Sequence, residues 1–128
     1  KAFELLEEGI IKMDKGKIVL GSLISGLGFG NASTTLGHAL SYVFSNEGIP
    51  HGHALAYTTT IAHKFNESIF CKRFEKIVNQ LGFEKITLKI DLDKASEIIL
   101  DDRKHLDNNP KNVTKQDIIQ LLESIIKN

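Results

Sequence analysis

IVLGSLISGLGFGNASTTLGHALSYVFSNEGIPHGHALAYTTTIAH, residues 18–63, decides how the fold is read. Across these 46 residues there is a single side chain of the Asp, Glu, Lys or Arg type, Glu47, while the rest of the chain carries the other 31. So long a stretch without charge is expected to be buried, with charged helices wrapped around it. A membrane span is the other way to be free of charge. It is excluded because Gly, Ser, Thr, Asn and His interrupt each apolar run well short of the ~20 residues a span needs.

Within the stretch, helical spacing recurs. Residues 17–30 are rich in Gly and Ser, which predicts a helix packed closely against another backbone; Gly costs ~1 kcal/mol per helical position relative to Ala, so packing must compensate. Asn31, Ser33, Thr34 and Thr35 are N-cap candidates for a helix over about 34–46. On that helix Leu36, Leu40, Val43 and Phe44 form an apolar stripe, and His38, Tyr42 and Ser45 form a polar one at i, i+4, i+7. A polar stripe on a helix in an uncharged zone is expected to line a cavity. Asn46-Glu47-Gly48-Ile49-Pro50 reads as a turn, and the next helix runs from His51 to about His63.

Outward from this centre, residues 2–14 predict a helix with Phe3, Leu5, Leu6, Ile10, Ile11 and Met13 at helical spacing. Residues 66–81 predict an amphipathic helix with Ile69, Phe70, Phe74, Ile77, Val78 and Leu81 on one face, stopped by Gly82. Lys85 to Asp91 alternates apolar and polar residues. A lone strand has no partner, so an extended loop is expected there. Asp93 to about His105 is a further helix, broken at Asn108-Asn109-Pro110, and Thr114-Lys115-Gln116-Asp117 opens the last, whose Ile118, Ile119, Leu121, Leu122, Ile125 and Ile126 form a core stripe. The fold class expected is all-α, a bundle of about six or seven helices in a single domain over residues 1–128.

The 128 residues suit one core, and 41% hydrophobic with 25% charged residues is an ordinary globular mix. Sixteen basic and sixteen acidic side chains cancel, which gives no electrostatic reason to expect nucleic acid or an anionic membrane as partner. The one cysteine, Cys71, cannot form an internal disulfide and fits a reducing, cytoplasmic setting. The chain opens on a helical pattern without an initiator Met, so a piece of a longer protein is expected.

Of the five histidines, His38, His51 and His53 fall close together in the uncharged zone. Imidazole is a common ligand for zinc and iron, and metal sites in bundles draw donors from facing helices. A lone histidine is more commonly a hydrogen-bonded core or surface residue. Two antiparallel helices joined by a short turn also do not by themselves bring His38, near the start of one, against His51, at the start of the next. For that, the helices must cross or the turn must fold back. Gly26-Leu27-Gly28-Phe29-Gly30 is not a dinucleotide fingerprint, because no strand precedes it. The Asp101-Asp102-Arg103-Lys104 run reads as a solvated face.

Residues 26–66 resemble the signature region of iron-containing alcohol dehydrogenases, which share the dehydroquinate-synthase-like fold. The resemblance rests on Gly28-Phe29-x-Asn31, Gly37-His38-Ala39 and Ile49-Pro50-His51-Gly52. It continues through residues 68–81 and through Leu106 to Ile126 with its Asn-Pro…Thr-x-x-Asp-Ile pattern. It implies the C-terminal helical half of a two-domain enzyme. There an α/β domain, absent here, binds NAD or NADP, and the helical half holds a divalent metal, iron or zinc, through one Asp and three His. His38 and His51 match the last two of those ligands; the upstream Asp-x-x-x-His does not occur before His38. Tyr42 stands where the family often has a second His, a proton relay beside the nicotinamide ring, and an unperturbed phenol with a pKa of ~10 is a poorer shuttle. The interval from His38 to His51 is one residue shorter than usual.

The resemblance further implies that Phe29 faces substrate and nicotinamide, although a core aromatic is an equal reading. It also implies that His53, an extra His found in phosphonate and sugar-acid branches, orients a polar substrate group or is simply solvated. The implied activity is metal-dependent, NAD(P)-linked oxidation of a small alcohol, with a homo-oligomer when full length. The alternatives are a sugar-acid oxidoreductase of the 3-deoxy-manno-octulosonate type, a phosphonate-aldehyde reductase, or a non-catalytic helical metal-binding or interaction module.

Overall fold

The computed structural model describes residues 1–30 and 34–127. Among them there are eight helices and no strands: α1 (Ala2–Lys12), α2 (Lys15–Phe29), α3 (Leu36–Ser45), α4 (His51–Phe65), α5 (Cys71–Leu81), α6 (Leu92–Asp101), α7 (Arg103–Leu106) and α8 (Lys115–Lys127). The all-α expectation holds, and 85–90 is extended without strand pairing. No described helix is long and apolar enough to cross a membrane.

The chain divides into two compact units, 1–33 and 34–128. In the first, α1 and α2 form a hairpin. Met13 closes α1 in the left-handed conformation, and the Asp14 carboxylate accepts the Lys17 N–H at 3.1 Å, so α2 begins two residues earlier than its Gly-rich pattern suggests. Burial is where expectation and structure part. Gly21 alone on α2 is buried, with Leu6 against it, whereas Val19, Leu20, Leu23, Leu27 and Phe29 are exposed. In a two-helix unit each helix has one neighbour and can bury one stripe, so freedom from charge did not translate into burial here. The N-cap candidates Asn31 and Ser33, and Asn31 of the quoted motif, lie outside the described residues.

The second unit holds the core. Leu36, Ala39, Leu40, Val43 and Phe44 of α3 meet Ala54 and Ala62 of α4, Ala95 and Ile99 of α6, and Ile118, Leu121, Leu122 and Ile125 of α8. The α8 stripe is therefore as the sequence spacing predicts except at Ile119, which is half-buried and outside the core cluster, and the helix start is capped reciprocally. Asp117 accepts the Thr114 N–H at 2.9 Å while Thr114 Oγ1 accepts the Asp117 N–H at 3.2 Å, a capping box with Asp in place of the usual Glu.

Two helices differ from the expected spans. Residues 66–70 are a turn instead of the first turn of α5, with Glu67 at φ 53°, and Ile69 is 88% exposed. Asn66 is drawn instead into a paired amide bond with Asn109, each side chain donating to the other at 2.8 and 3.0 Å. The expected 93–105 helix breaks at Asp102, whose ψ of 62° separates α6 from the single turn of α7.

α3 and α4 approach most closely at Gly37. A Cβ there would lie 3.1 Å from Thr59 Oγ1 and 3.2 Å from Thr59 Cα. Backbone cannot give way as a flexible side chain can, so Gly37→Ala is expected to cost about 1–3 kcal/mol despite Ala's better helix propensity. A urea melt measures it, and a variant as stable as the parent would show that the crossing is looser than this.

Candidate metal centre

The two faces of α3 separate fold from chemistry. While Leu36, Leu40, Val43 and Phe44 enter the core, His38, Tyr42 and Ser45 follow one another along the opposite side. The turn after α3 folds back: Gly48 N–H bonds Ser45 O at 3.0 Å and Ile49 N–H bonds Phe44 O at 3.2 Å. Gly48 makes the reversal with φ 95°, a value that suits a residue without Cβ. Pro50 then precedes α4, and His51 is its first residue.

That reversal settles how His38 and His51 meet. The His51 ring lies along α3, with Nδ1 3.4 Å from Ser45 Oγ, its centroid 6.1 Å from the Tyr42 ring and 5.5 Å from the His38 ring. One side chain thus spans two turns of the neighbouring helix. With Nδ1 engaged by Ser45, Nε2 is the nitrogen left for a ligand.

A third imidazole joins from the far side. His105 of α7 has its centroid 6.2 Å from His38 and 5.6 Å from Tyr42. His51, His38, His105 and Tyr42 therefore form a four-membered ring of rings, with α3 supplying two corners. His105 is 8% exposed, and its Nδ1–H is held 2.7 Å from both oxygens of Asp102. An imidazole backed by a carboxylate is fixed in tautomer and orientation, with Nε2 pointing away from the carboxylate. The Asp101–Lys104 run is thus not simply a solvated face; Asp102 turns inward onto His105. Sequence reasoning passed over His105 because it follows four charged residues. The available signal was an Asp three residues before a His, a spacing at which the two share a helix face.

Electrostatics favour lone pairs here. Burial pushes the His38 imidazole below its ordinary value, and the adjacent His51 and His105 push it the same way. A neutral His38 keeps its nitrogen free to donate.

The other singled-out residues fall elsewhere. His53 Nε2–H donates to the Glu84 carbonyl at 2.6 Å and its ring stacks on Phe83 at 5.0 Å, leaving Nδ1 alone for any further partner. Tyr42 is 39% exposed and lines the cluster. Phe29 belongs to the first unit and is exposed. Cys71 is a half-buried free thiol at the start of α5.

Residues 6–100 match the family model described as Fe-containing alcohol dehydrogenase family, C-terminal. The chain belongs to the iron-containing alcohol dehydrogenase family. The match takes in His38, Tyr42, His51 and His53, and ends just short of Asp102 and His105. No curated protein and no solved structure matches the chain.

The family name implies iron, and the donors can be tested against such an ion. Two imidazoles sharing a tetrahedral ion at metal–nitrogen distances of ~2.0–2.1 Å stand with centroids about 5 Å apart. The 5.5 Å between His38 and His51, inclined at 61°, fits that arrangement. His105 does not fit as a third corner, because its ring is parallel to His38 within 10° at 6.2 Å. Among the described residues no group of three or more His, Cys, Asp or Glu side chains is placed to hold a metal. His38 and His51 are the two imidazoles whose spacing suits a shared ion.

Proposed function

We propose that this chain is the metal-binding helical part of an NAD(P)-linked alcohol dehydrogenase acting on a small alcohol or aldehyde. The single observation behind this reading is the His38–His51 pair, set 5.5 Å apart by the fold-back of the α3–α4 turn within a chain of the iron-containing alcohol dehydrogenase family.

His38 and His51 would hold one divalent metal, iron or zinc, together with donors beyond this pair. When bound, the metal supplies Lewis-acid polarisation of the substrate oxygen. The residues of the chain do the rest. Neutral His38 and the Ser45-braced His51 keep their free nitrogens on one side of α3. Tyr42, on the same face of α3, and the Asp102-braced His105 complete the cluster, so that a small oxygenated substrate lies against imidazole and phenol edges capable of hydrogen bonding. The Tyr42 hydroxyl donates to or accepts from the reacting oxygen, and the same ring offers a flat face to a nicotinamide. NAD or NADP is bound mainly by the α/β domain that the resemblance implies. His53 contributes at most its Nδ1 to substrate, since Nε2 is engaged by Glu84.

The test is metal removal. Intact protein is expected to contain one equivalent of iron or zinc and to reduce NAD or NADP with a panel of short primary alcohols. Dialysis against a chelator should abolish turnover, and either metal should restore it. Turnover that survives complete removal of metal would sink the proposal. Stoichiometric metal without turnover on any alcohol would instead favour the non-catalytic metal-binding module.

A further inference from the structure

Glu47 is the one charged side chain between residues 18 and 63, and it sits in the turn between the two candidate ligands. Its carboxylate is not simply solvated. Oε1 accepts the Lys89 N–H at 3.0 Å and the Ile90 N–H at 2.9 Å, and Oε2 accepts the Lys89 N–H at 2.9 Å. The segment so gripped is anchored along its whole length. Tyr57 donates its hydroxyl hydrogen to the Phe83 carbonyl at 3.0 Å, and His53 holds Glu84. Ile86 is buried, Leu88 and Ile90 pack on the core, and Asp91 caps α6 through the N–H groups of Asp93 and Lys94.

Residues 83–91 therefore form a fixed strap, and Glu47 ties the α3–α4 turn to it from outside while Ile49 ties the same turn to the core from inside. Four residues after Glu47 comes His51, exposed at the first position of α4. The ring of His51 has one weak bond of its own, to Ser45 at 3.4 Å, so its place beside His38 depends on the turn beneath it. An uncharged acceptor could not serve as well. A carboxylate offers about four lone-pair sites and makes stronger bonds to N–H than a neutral carbonyl does.

We propose that Glu47 is a positioning residue for His51, acting through the turn to set the spacing of the metal pair. This rests on the metal-centre reading above. Supporting groups of this kind typically contribute 10–100-fold to metal affinity.

The experiment uses the intact protein with zinc as probe, and compares Glu47→Ala, Glu47→Gln and His51→Ala. Zinc affinity is read by competition with a chromophoric chelator, and the Lys89 and Ile90 amides by hydrogen exchange. Glu47→Ala should speed exchange at Lys89 and Ile90 and weaken zinc about tenfold. Glu47→Gln, with one carbonyl oxygen, should fall between it and the parent on both readouts. Faster exchange with unchanged zinc affinity would overturn the inference and leave Glu47 an anchor of the strap alone. Unchanged exchange would overturn it by removing the grip itself. Zinc retained in His51→Ala would overturn both this inference and the metal-centre reading, whereas zinc lost in His51→Ala but kept in Glu47→Ala would overturn this inference alone.

Discussion

His51→Ala is expected to lower the metal affinity of the intact protein by a factor on the order of 100 or more, because removing an outer-shell partner already costs 10–100-fold and the role proposed for His51 is that of a direct donor. Stability should hardly move. His51 is exposed at the first position of α4, where its N–H is unpaired in any helix, and substitutions at such sites stay within about 0.5 kcal/mol. Neighbours are poor substitutes: Ser45 is a weak ligand for iron or zinc, and the His105 ring lies parallel to that of His38 with centroids 6.2 Å apart. Elemental analysis after gel filtration, paired with a thermal melt, measures both halves. Full metal content with turnover intact would remove His51 from the ligand set, and metal loss accompanied by unfolding would show that the effect was not local.

The helical content, the α3 stripes and the α8 core face were legible in the sequence because each rests on local periodicity. Leu36, Leu40, Val43 and Phe44 recur at a helix's own spacing, and so do Ile118, Leu121, Leu122 and Ile125. The candidate pair His38 and His51 was singled out through the family motif, but its geometry was not legible, since nothing in the spacing of the two states that Gly48 reverses the turn. What stayed hidden depends on distant partners. Glu47 meets amides 42 and 43 residues away, and His105 reaches the cluster from α7, far along the chain from His38 and Tyr42. The misreading of α2 has a related cause. Absence of charge permits burial, but burial also requires a neighbour, and a hairpin offers α2 one side only.

Phe44→Ala is the second large effect, and it tests the division of α3 into a core face and a site face. Phe44 is fully buried and is the largest such side chain among the described residues. Truncating a buried Phe to Ala costs about 3–5 kcal/mol through lost transfer energy and the cavity left behind. Against a usual total of 5–15 kcal/mol that is a large fraction. With urea slopes of about 1–3 kcal/mol per molar, the midpoint should fall by roughly 1–5 M. The backbone carbonyl of Phe44, which accepts the Glu47 and Ile49 N–H groups, survives the substitution, so the turn keeps its local bonds while the helix beneath it loosens. Metal affinity should therefore drop together with stability, in contrast to His51→Ala, where it drops alone. Because His38 lies on the face opposite Phe44, Phe44→Leu should recover most of the stability and with it the metal. A cost below about 1 kcal/mol for Phe44→Ala would mean that this ring does not fill the core, and the assignment of His38, Tyr42 and Ser45 to the opposite face would fall with it.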